Sequence, residues 1–291
     1  MLFGNRRHVI SVSRRTDVPA FYAEWFMDKV RKGACKVANP YNPSQVKEVS
    51  LRTEDVAAFV FWTRNARPIR PFLSELDARG FNYYFLYTVT GYPRSHEPGL
   101  PLSPEVIDDF LRLAERIGQE KIIWRYDPVI ISAGLDIEFH IRNFRRLAQR
   151  LSAGTKNVII TFVKRYRHIE RALEALGYVH PSSHQCLVLE EQLRTAASEA
   201  GIAVKTCGER DSFSDITSGK CIDERLLKDL FGLELSSGKD PGQPGECRCI
   251  KSVDIGRYGS CLHGCVYCYA SKNFSRAAGY YREHDYRAEM L

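Results

Sequence analysis

Ala58-Phe59-Val60-Phe61-Trp62-Thr63 is five apolar side chains in a row closed by a hydroxyl. A strand with one face in water alternates apolar and polar residues. One that does not alternate is buried on both faces, as in a parallel sheet covered by helices. Working outward, the same texture recurs at His8-Val9-Ile10-Ser11-Val12-Ser13, at 83–90, at Lys121-Ile122-Ile123-Trp124-Arg125-Tyr126-Asp127 (closed by Pro128), at 157–163 and at 202–206. Between these runs lie helical patterns. Pro19 opens a helix with Phe21, Trp25, Phe26 and Val30 on one face, stopped by Gly33. A second follows Pro71 until Gly80, and Ser103-Pro104-Glu105-Val106 starts a third, with Phe110, Leu113 and Ile117 at helical spacing before Gly118. Others cover 137–151 and the region near 190–200, whereas 36–51, with Asn39-Pro40 and Asn42-Pro43, reads as a loop or irregular hairpin. Strands alternating with helices predict parallel βα units in an α/β barrel or open sheet. In either architecture the working groups sit just past the carboxyl ends of strands. Arg14–Asp17, Thr63-Arg64, Thr90-Gly91, Arg125–Asp127, Lys164-Arg165 and Cys207 fall there.

The chain has 291 residues, 44% hydrophobic and 26% charged, an ordinary globular composition that excludes intrinsic disorder. No apolar run reaches the roughly 18 residues of a spanning helix, so no membrane association is expected. Met1-Leu2-Phe3-Gly4-Asn5-Arg6-Arg7-His8 lacks the apolar stretch of a secretory signal, so a cytoplasmic location is expected. A formal charge of +7, from 42 Lys and Arg against 35 Asp and Glu, suits an anionic substrate or nucleic acid and equally suits solubility alone. Seven of the nine cysteines fall between Cys207 and Cys268. In a reducing cytosol such clustering points to metal ligands or redox groups rather than disulfides.

The densest stretch is Cys261-Leu262-His263-Gly264-Cys265-Val266-Tyr267-Cys268-Tyr269-Ala270. Cysteines spaced C-x3-C-x2-C can turn three sulfurs around a cuboidal iron–sulfur cluster and leave its fourth iron open to a chelating substrate. Zinc sites more often pair two C-x2-C units or mix Cys with His, and a zinc knuckle completed by Cys249 or His263 is the alternative.

This stretch resembles the cluster-binding loop of the radical S-adenosylmethionine (SAM) enzymes, and Gly-Cys-Val-Tyr-Cys-Tyr-Ala is nearest to their spore photoproduct lyase-like branch. The resemblance implies that Cys261, Cys265 and Cys268 hold a [4Fe–4S] cluster, that SAM chelates its open iron, and that Tyr267 lies against the adenine. It also implies a one-electron donor such as flavodoxin or ferredoxin. Those enzymes carry the loop near the N-terminus, after the first strand, and here it lies near the C-terminus. Circular permutation accounts for this, with Val253–Ile255 in place of the first strand and His8–Ser13 in place of the second. Arg14-Arg15-Thr16-Asp17, Phe61-Trp62-Thr63-Arg64-Asn65 and Trp124-Arg125-Tyr126-Asp127-Pro128-Val129-Ile130 resemble, in order, segments following the loop in that branch. The whole chain is also similar to an uncharacterised bacterial family, domain of unknown function 1848. The expected fold is therefore α/β, a radical-SAM-like (β/α) partial barrel, circularly permuted. Residues 1–206 supply most of it, and the cysteine-rich segment 207–291 completes it.

Ser13, Arg14, Thr16 and Asp17 follow what would be the family's second strand and are expected to bind SAM, although Asp17 also reads as the cap of a helix. Cys207, Cys221, Cys247 and Cys249 could form a second site, either an auxiliary [4Fe–4S] cluster or a structural zinc, or could stay unligated. Cys35 and Cys186 read as buried thiols. Arg125 and Asp127 point to one side of their strand and are the catalytic candidates, positioning SAM or substrate, or else a structural ion pair. Arg142, Arg146 and Arg150 read as a solvated stripe. The expected function is a radical SAM enzyme of unknown substrate, with nucleic acid as one candidate. The rival is a non-enzymatic, zinc-binding, nucleic-acid-binding module.

Overall fold

The computed structural model describes residues 7–208 and 216–291, so Met1–Arg6 of the N-terminal octapeptide lie outside it. Its elements, in chain order, begin with β1 (His8–Val12), α1 (Val18–Phe21), α2 (Ala23–Lys32), β2 (Ala34–Ala38), β3 (Val46–Ser50), β4 (Val56–Thr63), α3 (Leu73–Ala78) and β5 (Tyr83–Thr88). They continue with α4 (Ser103–Ile117), β6 (Ile122–Val129), α5 (Ile137–Leu151), β7 (Asn157–Phe162), α6 (Glu170–Ala175), α7 (Ser183–Glu199) and β8 (Ala203–Thr206). The last are α8 (Glu224–Phe231), β9 (Val253–Asp254) and α9 (Phe274–Glu283).

Seven strands form one sheet in the order β8-β7-β6-β5-β4-β1-β9, and every pairing in it is parallel. From β1 to β8 each strand lies beside its predecessor in this sheet, while β9, from the far end of the chain, pairs with β1 through Ile10↔Val253 and Ser11↔Asp254. Pleating then sorts the side chains into two cores. Ile10, Val12, Phe59, Phe61, Phe85, Tyr87, Trp124, Tyr126, Val158 and Ile160 meet Trp25 and Phe26 of α2, Leu76 of α3, Phe110 of α4, Phe144 of α5 and Leu189 of α7. Each such large side chain withdrawn from water contributes about 1.5–3 kcal/mol. The alternate positions Val9, Val60, Trp62, Tyr84, Leu86, Ile123 and Ile159 meet Cys221, Ile222, Leu227, Cys249 and Ile250. Helices α2–α5 and α7 thus cover one face, and the 221–250 segment covers the other.

Several local expectations are corrected. The helix opened by Pro19 breaks at Tyr22, whose φ of −131° is not helical, into α1 and α2. Residues 34–50 hold a regular antiparallel hairpin, β2–β3, which the two Asn-Pro pairs had obscured by falling in its turn region. The fourth predicted strand runs through Pro128 to Val129, because a proline lacking its N–H is tolerated where the β6–β7 register shifts. Helix α7 starts earlier than expected, at a capping box formed by Ser182 and Gln185. Helices α6, α8 and α9 had no expectation.

A buried polar relay fixes the carboxyl end of β6. His140 Nε2 lies 3.0 Å from the Ile130 carbonyl, which can only accept, so Nε2 carries the proton and Nδ1 accepts from the Tyr126 hydroxyl at 2.9 Å. Asn143 Nδ2 donates to the same hydroxyl and to the Thr90 carbonyl. Burial pushes His140 down from 6.5 to about 4. The unfolded chain therefore binds one more proton between these values, and stability falls as pH drops from 6.5 towards 4, by about 3 kcal/mol at most. Chemical denaturation across this range should show that slope in the native protein and lose it in His140→Gln; an unchanged slope would assign it to other groups.

Candidate functional site

The polar residues at the strand ends converge because they share the pleat of the second core. Ser13 extends the face of Val9, Arg125 and Asp127 extend that of Ile123, and Trp62, Thr88 and Thr161 lie on the same side. Together with the 240–270 region they line a cavity of about 870 Å³. Arg14, Thr16, Asp17 and Tyr267 also line it, as do Cys207, Cys221, Cys247, Cys249, Cys261, Cys265 and Cys268. All the residues singled out from the sequence for cofactor, metal or catalytic roles therefore border one space, although the two cysteine sets form separate groups in it.

The 261–268 loop is held by two buried anchors. Asp17 caps α1 by accepting from Ala20 N at 3.0 Å. Its oxygens also accept from Thr63 Oγ1 at 2.8 Å and Arg64 N at 2.7 Å, and His263 Nε2 lies 2.7 Å away. Both carboxylate oxygens are thus occupied within the protein, and Asp17 acts on the cavity through His263 and the ends of β1 and β4. The second anchor is Glu97, which takes Arg64 Nη1 at 2.6 Å, Thr90 Oγ1 at 2.7 Å and the Tyr267 hydroxyl. Arg64 Nη2 donates to that hydroxyl at 2.8 Å. Burial works to lower the Arg64 guanidinium, but Glu97, Tyr267 and Cys265 together outweigh it and hold Arg64 well above its ordinary value. Tyr267 therefore uses its hydroxyl to fasten the loop and presents only its ring to the cavity. Gly99 completes the brace. Its N–H donates to the His263 carbonyl at 2.9 Å, and a Cβ there would stand 2.6 Å from the same oxygen.

The end of β9 is tied just as closely. Asp254 accepts from Ser11 Oγ, Ser13 Oγ at 2.6 Å and Arg14 N at 2.8 Å. Gly256 packs so tightly that a Cβ would fall 2.0 Å from Ser13 Oγ. Arg14 and Arg125 both lie over the indole of Trp62, at 5.4 and 4.7 Å from the ring centroid. Arg125 also pairs with Asp127. Glu97, Asp254 and Trp62 were not assigned site roles from the sequence, Arg64 was placed only among the polar groups at the strand ends, and His263 was named only as a ligand of the alternative zinc knuckle. Arg64 and Trp62 carried a usable signal at the end of β4, whereas Glu97 sits in a loop with none.

The two cysteine sets differ in spacing. The sulfurs of Cys207, Cys247 and Cys249 all lie within 4.8 Å of one another, and among the described residues no other group of three or more Cys, His, Asp or Glu converges so closely. Cys261, Cys265 and Cys268 are thus spread wider, with or without His263. Burial raises all three thiols, Cys265 to about 12 despite the opposing charge of Arg64. In the other set, hydrogen bonds from Cys207, Cys221 and Cys247 hold Cys249 far below an ordinary thiol. Cys207 and Cys247 are raised in turn, and Cys221, which Cys207 works to lower, is pushed up to about 12 by Cys249 and burial. Cys35 and Cys186 are buried away from both sets. Arg142 carries a largely exposed side chain beside Glu138, whereas Arg146 turns to Asn143.

Fold and site together define an α/β protein with a seven-stranded parallel sheet and a cysteine-lined cavity at its carboxyl ends, where a group of three cysteines could bind a metal or cluster. A family model described as "domain of unknown function (DUF1848)" matches residues 9–270, and the chain belongs to that family. No curated protein matches it. Among solved structures, one described as a "putative phosphomethylpyrimidine kinase" from Bacteroides thetaiotaomicron is similar at 13% identity and a TM-score of 0.27. That match covers 72% of this chain and 65% of the other, less than two thirds of its length. Among the described residues no helix is long and apolar enough to cross a membrane.

Glu97→Gln removes the charge opposite buried Arg64 and one fastening of Tyr267. It should cost about 3–5 kcal/mol in chemical denaturation and speed the reaction of Cys265 with a thiol reagent. Unchanged stability and reactivity would show that the loop is held elsewhere.

Proposed function

We propose that the protein is a radical SAM enzyme, with Cys261, Cys265 and Cys268 as the three ligands of a [4Fe–4S] cluster in a circularly permuted (β/α) partial barrel. The observation that carries this reading is the spacing of these thiols, wider than one metal ion gathers, on a braced loop that opens onto the 870 Å³ cavity. A single zinc with Zn–S bonds of about 2.3 Å draws its sulfurs to about 3.8 Å from one another. Three thiolates on a rigid loop suit a larger group with one corner left for a substrate. The strand order, with β9 beside β1 and helices α2–α5 and α7 on one face, supports the barrel and the permutation.

When bound and reduced by one electron, such a cluster supplies cleavage of SAM to methionine and a 5′-deoxyadenosyl radical that takes a hydrogen atom from the substrate. The chain's own residues orient and exclude. Tyr267, fixed at its hydroxyl, offers its ring to the adenine. Ser13, Arg14 and Thr16 border the region for the rest of SAM, with Thr16 Oγ1 buried and without a hydrogen-bond partner. Asp17 serves that site indirectly, through His263. Arg125 and Asp127 lie further along the cavity, as a pair able to position SAM or substrate. The reading requires a one-electron donor such as flavodoxin or ferredoxin, and nucleic acid is the substrate class to test first, by the steep fall of affinity with salt.

One observation favours a second reading, the zinc-binding module. His263 Nδ1 is buried without a hydrogen-bond partner and could complete a site of three cysteines and one histidine if the loop contracted. Colour separates the two, since iron–sulfur protein is brown and zinc protein colourless. Anaerobically reconstituted protein given dithionite and SAM should release 5′-deoxyadenosine, and Cys265→Ala should abolish the release. Native protein that releases none, or a variant that releases as much, would falsify the enzymatic reading.

A further inference from the structure

We propose that Cys207, Cys221, Cys247 and Cys249 hold a single tetrahedral thiophilic ion, zinc under cellular conditions, that clasps the two edge strands of the sheet to each other, with Arg14 and Arg125 as its counter-cations. This replaces the auxiliary iron–sulfur cluster expected for these cysteines and does not depend on the SAM reading.

Position comes first. The edge strands of the sheet are β8 and β9. Cys207 directly follows β8, and Cys247 and Cys249 lie a few residues before β9. Cys221 precedes α8 and stands outside that close group of three, in contact with Cys207 and Cys249. No backbone pairing links β8 to β9, so an ion here connects strands that the hydrogen-bond ladder leaves apart.

Spacing identifies the occupant. Three of the sulfurs lie within 4.8 Å of one another, close to the roughly 3.8 Å that a tetrahedral zinc with 2.3 Å bonds demands. A four-iron cube stands its metal atoms between the cysteines and so spreads their sulfurs further, as the 261–268 loop does in the same cavity. The donor set is sulfur alone, which selects soft or borderline metals over magnesium or calcium. The Ile222 N–H already points at Cys249 Sγ at 3.4 Å, a backbone contact suited to a thiolate ligand.

Charge agrees. Four thiolates around a divalent ion leave two negative charges, and two guanidiniums lie against the group. Arg14 and Arg125 both stack on Trp62, which packs in one cluster with Cys221 and Cys249, and both border the cavity that the four cysteines line. Arg14 Nη2 and Arg125 Nε are buried without a hydrogen-bond partner. Asp127 and the more distant Asp240, at 4.0 Å from Arg14 Nη1, engage other nitrogens of the two groups. The unpartnered donors fit sulfur acceptors that become fully ionised when the ion binds.

The test uses a variant with Cys261, Cys265 and Cys268 all changed to Ala, which removes the other set and with it any outcome that depends on SAM. Metal analysis should find one zinc per chain and no iron, and cobalt substitution should give tetrathiolate absorption. Arg14→Gln and Arg125→Gln should each lose the zinc to a competing chelator about 10-fold more readily. In the native protein, removing the zinc should speed hydrogen exchange at 203–206 and 253–254 while leaving 83–88 unchanged. Four irons in the triple variant, or no metal, would overturn the proposal. Edge strands whose exchange ignores the zinc would overturn the clasp.

Discussion

A single buried carboxylate, Asp17, fixes the working end of the molecule. Ala20 N, Thr63 Oγ1, Arg64 N and His263 all meet its two oxygens, so one side chain joins the start of α1, the end of β4 and the cysteine loop. Such a carboxylate is costly to bury unless every lone pair is used. Here each oxygen faces two partners, which ties three segments to one geometry. Glu97 repeats the device with Arg64, Thr90 and Tyr267. The loop's position is thus set by polar groups inside the protein together with the apolar cluster in which Tyr267, Cys265 and Val266 pack.

A parallel sheet must cover both faces, and this chain does so asymmetrically. Helices α2–α5 and α7 take one face, where their amphipathic stripes supply the apolar surface. The other is covered by the 221–250 segment, whose one regular helix among the described residues is the eight-residue α8. That cover stops short of the strands' carboxyl ends and leaves the cavity. The sulfurs of Cys207, Cys247 and Cys249 converge in or beside this segment so poor in regular structure.

Much of the architecture was legible along the chain. The uninterrupted apolar run of β4 signalled burial on both faces, and α4 and α5 were readable from helical spacing. The alternation that carries Arg125 and Asp127 to the face of Ile123 was readable as well. Tyr22 was not, because its break depends on backbone angles between two segments that are each helical in composition. The β2–β3 hairpin was obscured by prolines that belong to its turn. Helices α8 and α9 lie in a region whose loops and cysteines dominate its composition. Among the site residues, Glu97 was invisible because its role depends on Arg64 and Tyr267, brought to it from other strands and loops.

By itself the sequence determined what short-range physics encodes. Side-chain period marks strand and helix, and cysteine spacing within 261–268 sets which thiols share one loop. Only the tertiary structure decided what depends on distance across the chain. It seated β9 beside β1, joined Asp17 to His263 from 246 positions away, and brought both cysteine sets to one cavity at unlike spacings. The reason is that a hydrogen bond or a ligand set is specified by geometry in space, and a contact between distant segments leaves no periodicity behind in either one.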